Sequence, residues 1–80
     1  MPTILTQDGF RLYFYANEGN EPAHIHVQYQ EAVAKFWILP VGLAKNLGMN
    51  SSELRRARKI VDQHELLIEE KWNEFNSRKS

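Results

Sequence analysis

His24-Ile25-His26-Val27-Gln28-Tyr29-Gln30-Glu31-Ala32-Val33-Ala34-Lys35-Phe36-Trp37-Ile38 is the stretch that decides the fold. In its first half Ile25, Val27 and Tyr29 alternate with His24, His26 and Gln28. In its second half Ala32, Ala34, Phe36 and Ile38 alternate with Val33, Lys35 and Trp37. A period of two marks two half-buried strands. Taking Gln30-Glu31 as a two-residue hairpin loop fixes the register, since a slip of one residue would turn every side chain to the wrong face. Tyr29 then opposes Ala32, Val27 opposes Ala34 and Ile25 opposes Phe36, which builds an apolar face. On the other face His26 opposes Lys35 and His24 opposes Trp37. Gln-Glu is not a favoured pair for such a loop. A longer loop would change the partners and leave the alternation intact.

Working outward, Asn17-Glu18-Gly19-Asn20-Glu21-Pro22 is a polar loop. Before it, Phe10 to Ala16 alternates, with Phe10, Leu12, Phe14 and Ala16 on one side and Arg11, Tyr13 and Tyr15 on the other. Asp8-Gly9 is a hairpin turn signal, and Thr3 to Thr6 is a short β-prone run. On the C-terminal side Pro40 ends the fourth strand. Val41 to Leu47 reads either as a short edge strand or as a helical turn. Asn50 is a helix N-cap, with Glu53 three residues on to complete a capping box. Leu54, Ala57, Val61, His64, Ile68, Trp72 and Phe75 then recur at steps of three and four, one face of a helix. The pattern outruns the roughly 25 residues of an uninterrupted globular helix, which allows a break near Asp62 to His64. The expected fold is α+β: an antiparallel sheet of three to five strands packed against a long C-terminal helix, continuous or broken in two.

Eighty residues make one domain, spanning 1–80. The chain is 42% hydrophobic and 25% charged, with no cysteine. That composition is globular, and it excludes disulfides and thiolate metal sites. So small a core needs tight helix-on-sheet packing, a partner that covers apolar surface, or both. No apolar run approaches the roughly 20 residues of a membrane span, and Met1 to Thr6 lacks the pattern of a signal peptide. A cytoplasmic protein with no membrane partner is expected. Ten basic and ten acidic residues cancel, so no global field draws the chain to nucleic acid.

His24 and His26 stand at i and i+2 of one strand, so their side chains leave the same face with Cα atoms roughly 6.6 Å apart. One chemistry open to them is general acid–base catalysis, because imidazole titrates near pH 6.5. Lys35 and Arg11 would then hold a phosphate, and Tyr13, Tyr15 and Trp37 would stack bases. Metal-free RNA cleavage needs those parts, and no cofactor is called for. The other chemistry is a metal site completed by Glu18 or Glu21, for which no strict ligand motif is present. The plain alternative is two histidines on a solvent face, with the aromatics serving as cross-strand packing pairs or an oligomer contact.

Elsewhere, His64 reads as a half-buried hydrogen-bonded residue and Trp72 and Phe75 read as core. Arg55, Arg56, Arg58 and Lys59 cluster near the helix start, where the helix dipole disfavours positive charge. They form a solvated face or a contact for an acidic partner.

Glu21-Pro22-Ala23-His24-Ile25-His26-Val27 with Ala34-Lys35-Phe36-Trp37 resembles a small bacterial family known as a domain of unknown function, number four-one-six-zero. Met1-Pro2-Thr3-Ile4-Leu5, Phe14-Tyr15-Ala16-Asn17-Glu18-Gly19 and Trp72-Asn73-Glu74-Phe75 extend the likeness over nearly the whole chain. Many relatives carry proline where this chain has Ala23, which loosens the start of the strand. The resemblance implies a type II toxin–antitoxin module, with this chain as the toxin and a small adjacent-gene product as its antitoxin. It also marks His24 and His26 as the family signature. Three readings follow: a toxin acting on RNA or the translation machinery, in the first case as a metal-independent ribonuclease; a non-catalytic protein-interaction or regulatory module; and a small metal-binding protein. RNA, the antitoxin and a second copy of the chain are the candidate partners.

Overall fold

The computed structural model describes residues 3–15 and 21–77. Five strands lead into two helices: β1 (Thr3–Gln7), β2 (Phe10–Tyr13), β3 (His24–Tyr29), β4 (Ala32–Ile38), β5 (Val41–Leu47), α1 (Ser51–Gln63) and α2 (Glu65–Ser77). The strands form one antiparallel sheet in the order β1-β2-β3-β4-β5, each paired with its neighbour in sequence. The fold is therefore α+β, with the helical segment broken in two.

The central hairpin has the register that a two-residue loop dictates. Tyr29 faces Ala32, Val27 faces Ala34, Ile25 faces Phe36, His26 faces Lys35 and His24 faces Trp37. Gln30 supplies the positive φ that so short a loop requires, at 55°. In the β1–β2 turn Asp8 and Gly9 both take positive φ, 52° and 84°. Gly9 is needed there twice over, because a Cβ on it would lie 3.2 Å from the Tyr29 ring. β2 closes at Tyr13, earlier than the alternation from Phe10 to Ala16 suggests; Ala16 itself lies outside the described residues.

Val41 to Leu47 is an edge strand, which settles the ambiguity left by its sequence. Its register shifts between Lys35, which faces Lys45, and Phe36, which faces Leu43. Ala44 is the extra residue of a β-bulge. Val41 and Leu43 consequently share the face of Ile38 and Phe36, while Lys45 and Leu47 share the face of Lys35 and Val33.

One face of the sheet, with Phe10, Leu12, Ile25, Val27, Phe36 and Ile38, is buried beneath Ala57, Ile60 and Val61 of α1 and Ile68 and Trp72 of α2. α1 begins with the expected box: Asn50 Oδ1 accepts from the Glu53 N–H at 2.8 Å, and Glu53 Oε1 accepts from the Asn50 N–H at 3.0 Å. Asn50→Ala removes the cap and is expected to lower stability by about 1 kcal/mol, read as a reduced urea midpoint at unchanged slope.

The helical pattern breaks at His64. Its N–H is shared between the carbonyls of Ile60 and Val61, each at 3.2 Å, as helix ends commonly do. Its Nε2 donates to Gln7 Oε1 at 2.9 Å, and Gln7 Nε2 donates to Gln63 Oε1 at 3.4 Å. His64 thus ties the helix break to β1. Among the described residues no helix is long and apolar enough to cross a membrane.

Candidate functional site

The period of two places His24 and His26 on the same face of β3. His26 is flanked across the sheet by Tyr13 of β2 and Lys35 of β4, and His24 by Trp37 of β4. Their ring centroids lie 5.3 Å apart, edge to face. The plain alternative, two histidines on a solvent face, does not hold: His24 is 0% exposed and His26 is 7% exposed.

Two tryptophans pack against His24. Trp72 of α2 reaches the end of the sheet where β3 begins, with its ring centroid 4.7 Å from His24. Trp37 meets the same imidazole edge-on at 5.9 Å. His24 Nδ1 lies 2.9 Å from the Pro22 carbonyl oxygen. A carbonyl only accepts, so Nδ1 carries the proton and the ring is held in one orientation. Glu21 Oε1 stands 3.9 Å from the same nitrogen.

His26 sits among tyrosines. Tyr13 stacks on it at 5.4 Å and 23°, and Tyr15 meets it edge-on at 4.4 Å. The two phenol oxygens are 3.5 Å apart. Tyr13 is buried, while Tyr15 keeps 40% of its surface open. Every buried side-chain nitrogen and oxygen among the described residues has a hydrogen-bond partner.

The cations are placed differently from one another. Lys35 is paired with Glu21 and lies 4.8 Å over the Trp37 ring. Arg11 is set against Tyr13, its guanidinium 4.4 Å from the ring centroid. It donates to Thr3 Oγ1 at 3.1 Å and to Gln28 Oε1 at 2.9 Å, both neutral acceptors. Arg11 therefore flanks the cluster on its β1–β2 side. His24, His26, Tyr13, Tyr15, Lys35 and Trp37 form one continuous patch.

An open pocket of about 260 Å³ lies on the β4–β5 side of His26, lined by Tyr15, His26, Val33, Ala34, Lys35, Lys45 and Leu47. Lys45 is the functional candidate that sequence reading misses. It joins the site only because Val41 to Leu47 is a strand with a bulge at Ala44. Trp72 is the other contributor not placed there from the sequence; Glu21, a candidate metal ligand in the sequence, is paired with Lys35 instead.

Among the described residues no three His, Asp or Glu side chains converge as a metal site would require. Glu18, one of the two carboxylates considered for such a site, lies outside the described residues, and Glu21 is engaged with Lys35.

A family model described as a domain of unknown function (DUF4160) matches residues 9–73. The chain belongs to this family. No curated protein and no solved structure matches it significantly. In this member of the family, the two histidines differ in access. His24 is enclosed between two tryptophans, and His26 forms part of a pocket wall.

Proposed function

We propose that the chain is the toxin component of a bacterial two-protein toxin–antitoxin module, and that it acts on RNA at the His26 pocket. The observation carrying this reading is that Tyr15, His26, Lys35 and Lys45 line one pocket on the face of the sheet opposite to the one α1 covers. Two ammonium groups suit a phosphate, and a half-open tyrosine suits a base. An imidazole beside them suits proton exchange with a ribose hydroxyl. Lys45 is the exposed cation. Lys35 is released to a phosphate when the incoming anion displaces Glu21.

The two histidines take unequal roles in this reading. His26 lines the pocket and is the group that exchanges protons. His24 is a positioning residue, fixed by the Pro22 carbonyl and packed against the His26 ring. The enclosure of His24 also favours a second reading, in which the same pocket binds RNA without cleaving it. The small adjacent-gene product is the partner expected to silence either activity.

The test uses the purified chain and a labelled single-stranded RNA. Lys45→Glu is expected to weaken binding by about tenfold or more and to lower the salt slope by about one ion. The residue is exposed, so the melting temperature should hold. Binding by Lys45→Glu equal to that of the parent would remove the pocket from the argument. Expression of the parent without a partner is expected to arrest growth.

A further inference from the structure

A second surface, on the opposite side of the sheet, carries features that the RNA pocket does not use. β5 is an edge strand, and among the described residues no other strand pairs with its outer side. An open edge offers unpaired backbone donors and acceptors to any extended chain. Natural edges are commonly blunted by charge, proline or a bulge; here the bulge stands at Ala44, and the edge ahead of it is the uncharged Val41-Gly42-Leu43, with Leu43 46% exposed. Beside it lies a groove of about 240 Å³ between β5 and α1, lined by Phe36, Leu43, Ser51, Leu54, Arg55 and Arg58.

The floor of this groove is apolar and its rim is basic. Arg56 is committed elsewhere, its guanidinium 5.2 Å from both the Phe10 and Tyr29 rings. Arg58 has only a long contact to Asp62, 3.8 Å between half-exposed side chains, and a 3.4 Å contact to the Val41 carbonyl. Arg55 has no carboxylate partner among the described residues. Arg55 stands in the second turn of α1 and Arg58 just past its middle, so neither is placed to gain from the negative end of the helix dipole. Arg55, without a carboxylate among the described residues, and Arg58, with a distant one, leave positive charge on the rim for an anionic ligand to pair with.

We propose that the β5 edge and this groove form a docking site for an extended acidic segment of a partner protein. The segment adds as a sixth strand alongside Val41 to Ala44. It places one apolar side chain on Phe36, Leu43 and Leu54 and a carboxylate against Arg55 and Arg58. Backbone pairing supplies affinity, and the pocket and rim supply selectivity. A second copy of this chain fits less well, because edge-to-edge pairing of β5 would bring the two basic rims together. RNA would satisfy the arginines and leave both the apolar floor and the strand edge unused.

A suitable probe is a labelled peptide whose odd positions alternate leucine and glutamate and whose even positions are threonine. Saturable binding is expected, with amide shifts concentrated at residues 41–45 and 54–58. The double substitution Arg55→Glu and Arg58→Glu should weaken binding at least about tenfold and reverse the preference toward the same peptide bearing lysine for glutamate. Leu43→Asn, at an exposed position, is the second variant and should weaken binding without reversing that preference. The proposal fails if the peptide does not saturate, if shifts centre on Tyr15, His26 and Lys45, or if charge reversal leaves affinity unchanged. It also fails if sedimentation shows the chain dimerising through β5.

Discussion

Trp72→Ala is expected to lower the unfolding free energy by about 3–5 kcal/mol, the usual range for deleting a large buried aromatic side chain. A domain of this class has only about 5–15 kcal/mol in total, so the variant should be partly unfolded at ambient temperature. Trp72 is 7% exposed and meets Phe14 edge-on at 5.3 Å as well as His24. It therefore holds α2 to the sheet and closes over the imidazole at once. Trp72→Phe keeps an aromatic ring in place and should recover much of the loss. Urea titration followed by far-ultraviolet circular dichroism measures both. A cost below about 1 kcal/mol for the alanine variant would mean that α2 is not seated as described.

His26→Gln should reduce RNA cleavage by about a hundred- to ten-thousandfold, the usual contribution of a positioned acid or base. Its effect on RNA affinity should be small, because Tyr15, Lys35 and Lys45 remain. His24→Gln should behave differently. It removes the Nδ1–H that satisfies the Pro22 carbonyl and disturbs packing between Trp37 and Trp72, so it should cost about 1–3 kcal/mol of stability. Its turnover should fall less than that of His26→Gln, with the decrease tracking the displaced His26 ring. Cleavage rates and Michaelis constants for the two variants, beside their unfolding midpoints, separate these outcomes. Equal loss in both variants at unchanged stability would restore a paired mechanism. Full cleavage by His26→Gln would end the catalytic reading, and RNA binding with no cleavage by the parent would leave the binding reading in its place.

Much of the fold is legible because the sheet is built from local signals. Alternation places His24 and His26 together, Asp8-Gly9 and Gln30-Glu31 are short enough to set register, and Asn50 with Glu53 marks where helix begins. The length of the apolar stripe leaves open the interruption that falls at His64. The less legible parts depend on contacts distant in sequence. Nothing near His24 indicates that Trp72 will enclose it, since that depends on the direction α2 takes after the break. Lys45 is hidden for another reason: Val41 to Leu47 has weak strand composition, and the bulge at Ala44 reverses the alternation within it. Glu21 reads in the sequence as a possible metal ligand, whereas in the fold it pairs with Lys35.

The order β1-β2-β3-β4-β5 has a bearing on how the chain acquires its shape. Each strand meets the one synthesised just before it, so hairpins can zip in succession with little loop entropy to overcome, a route associated with rapid folding. The enclosing tryptophan arrives later, on α2. During biosynthesis the histidine patch therefore remains open until that last helix docks, and a nascent chain on the ribosome would hold its strands before Trp72 closed over His24.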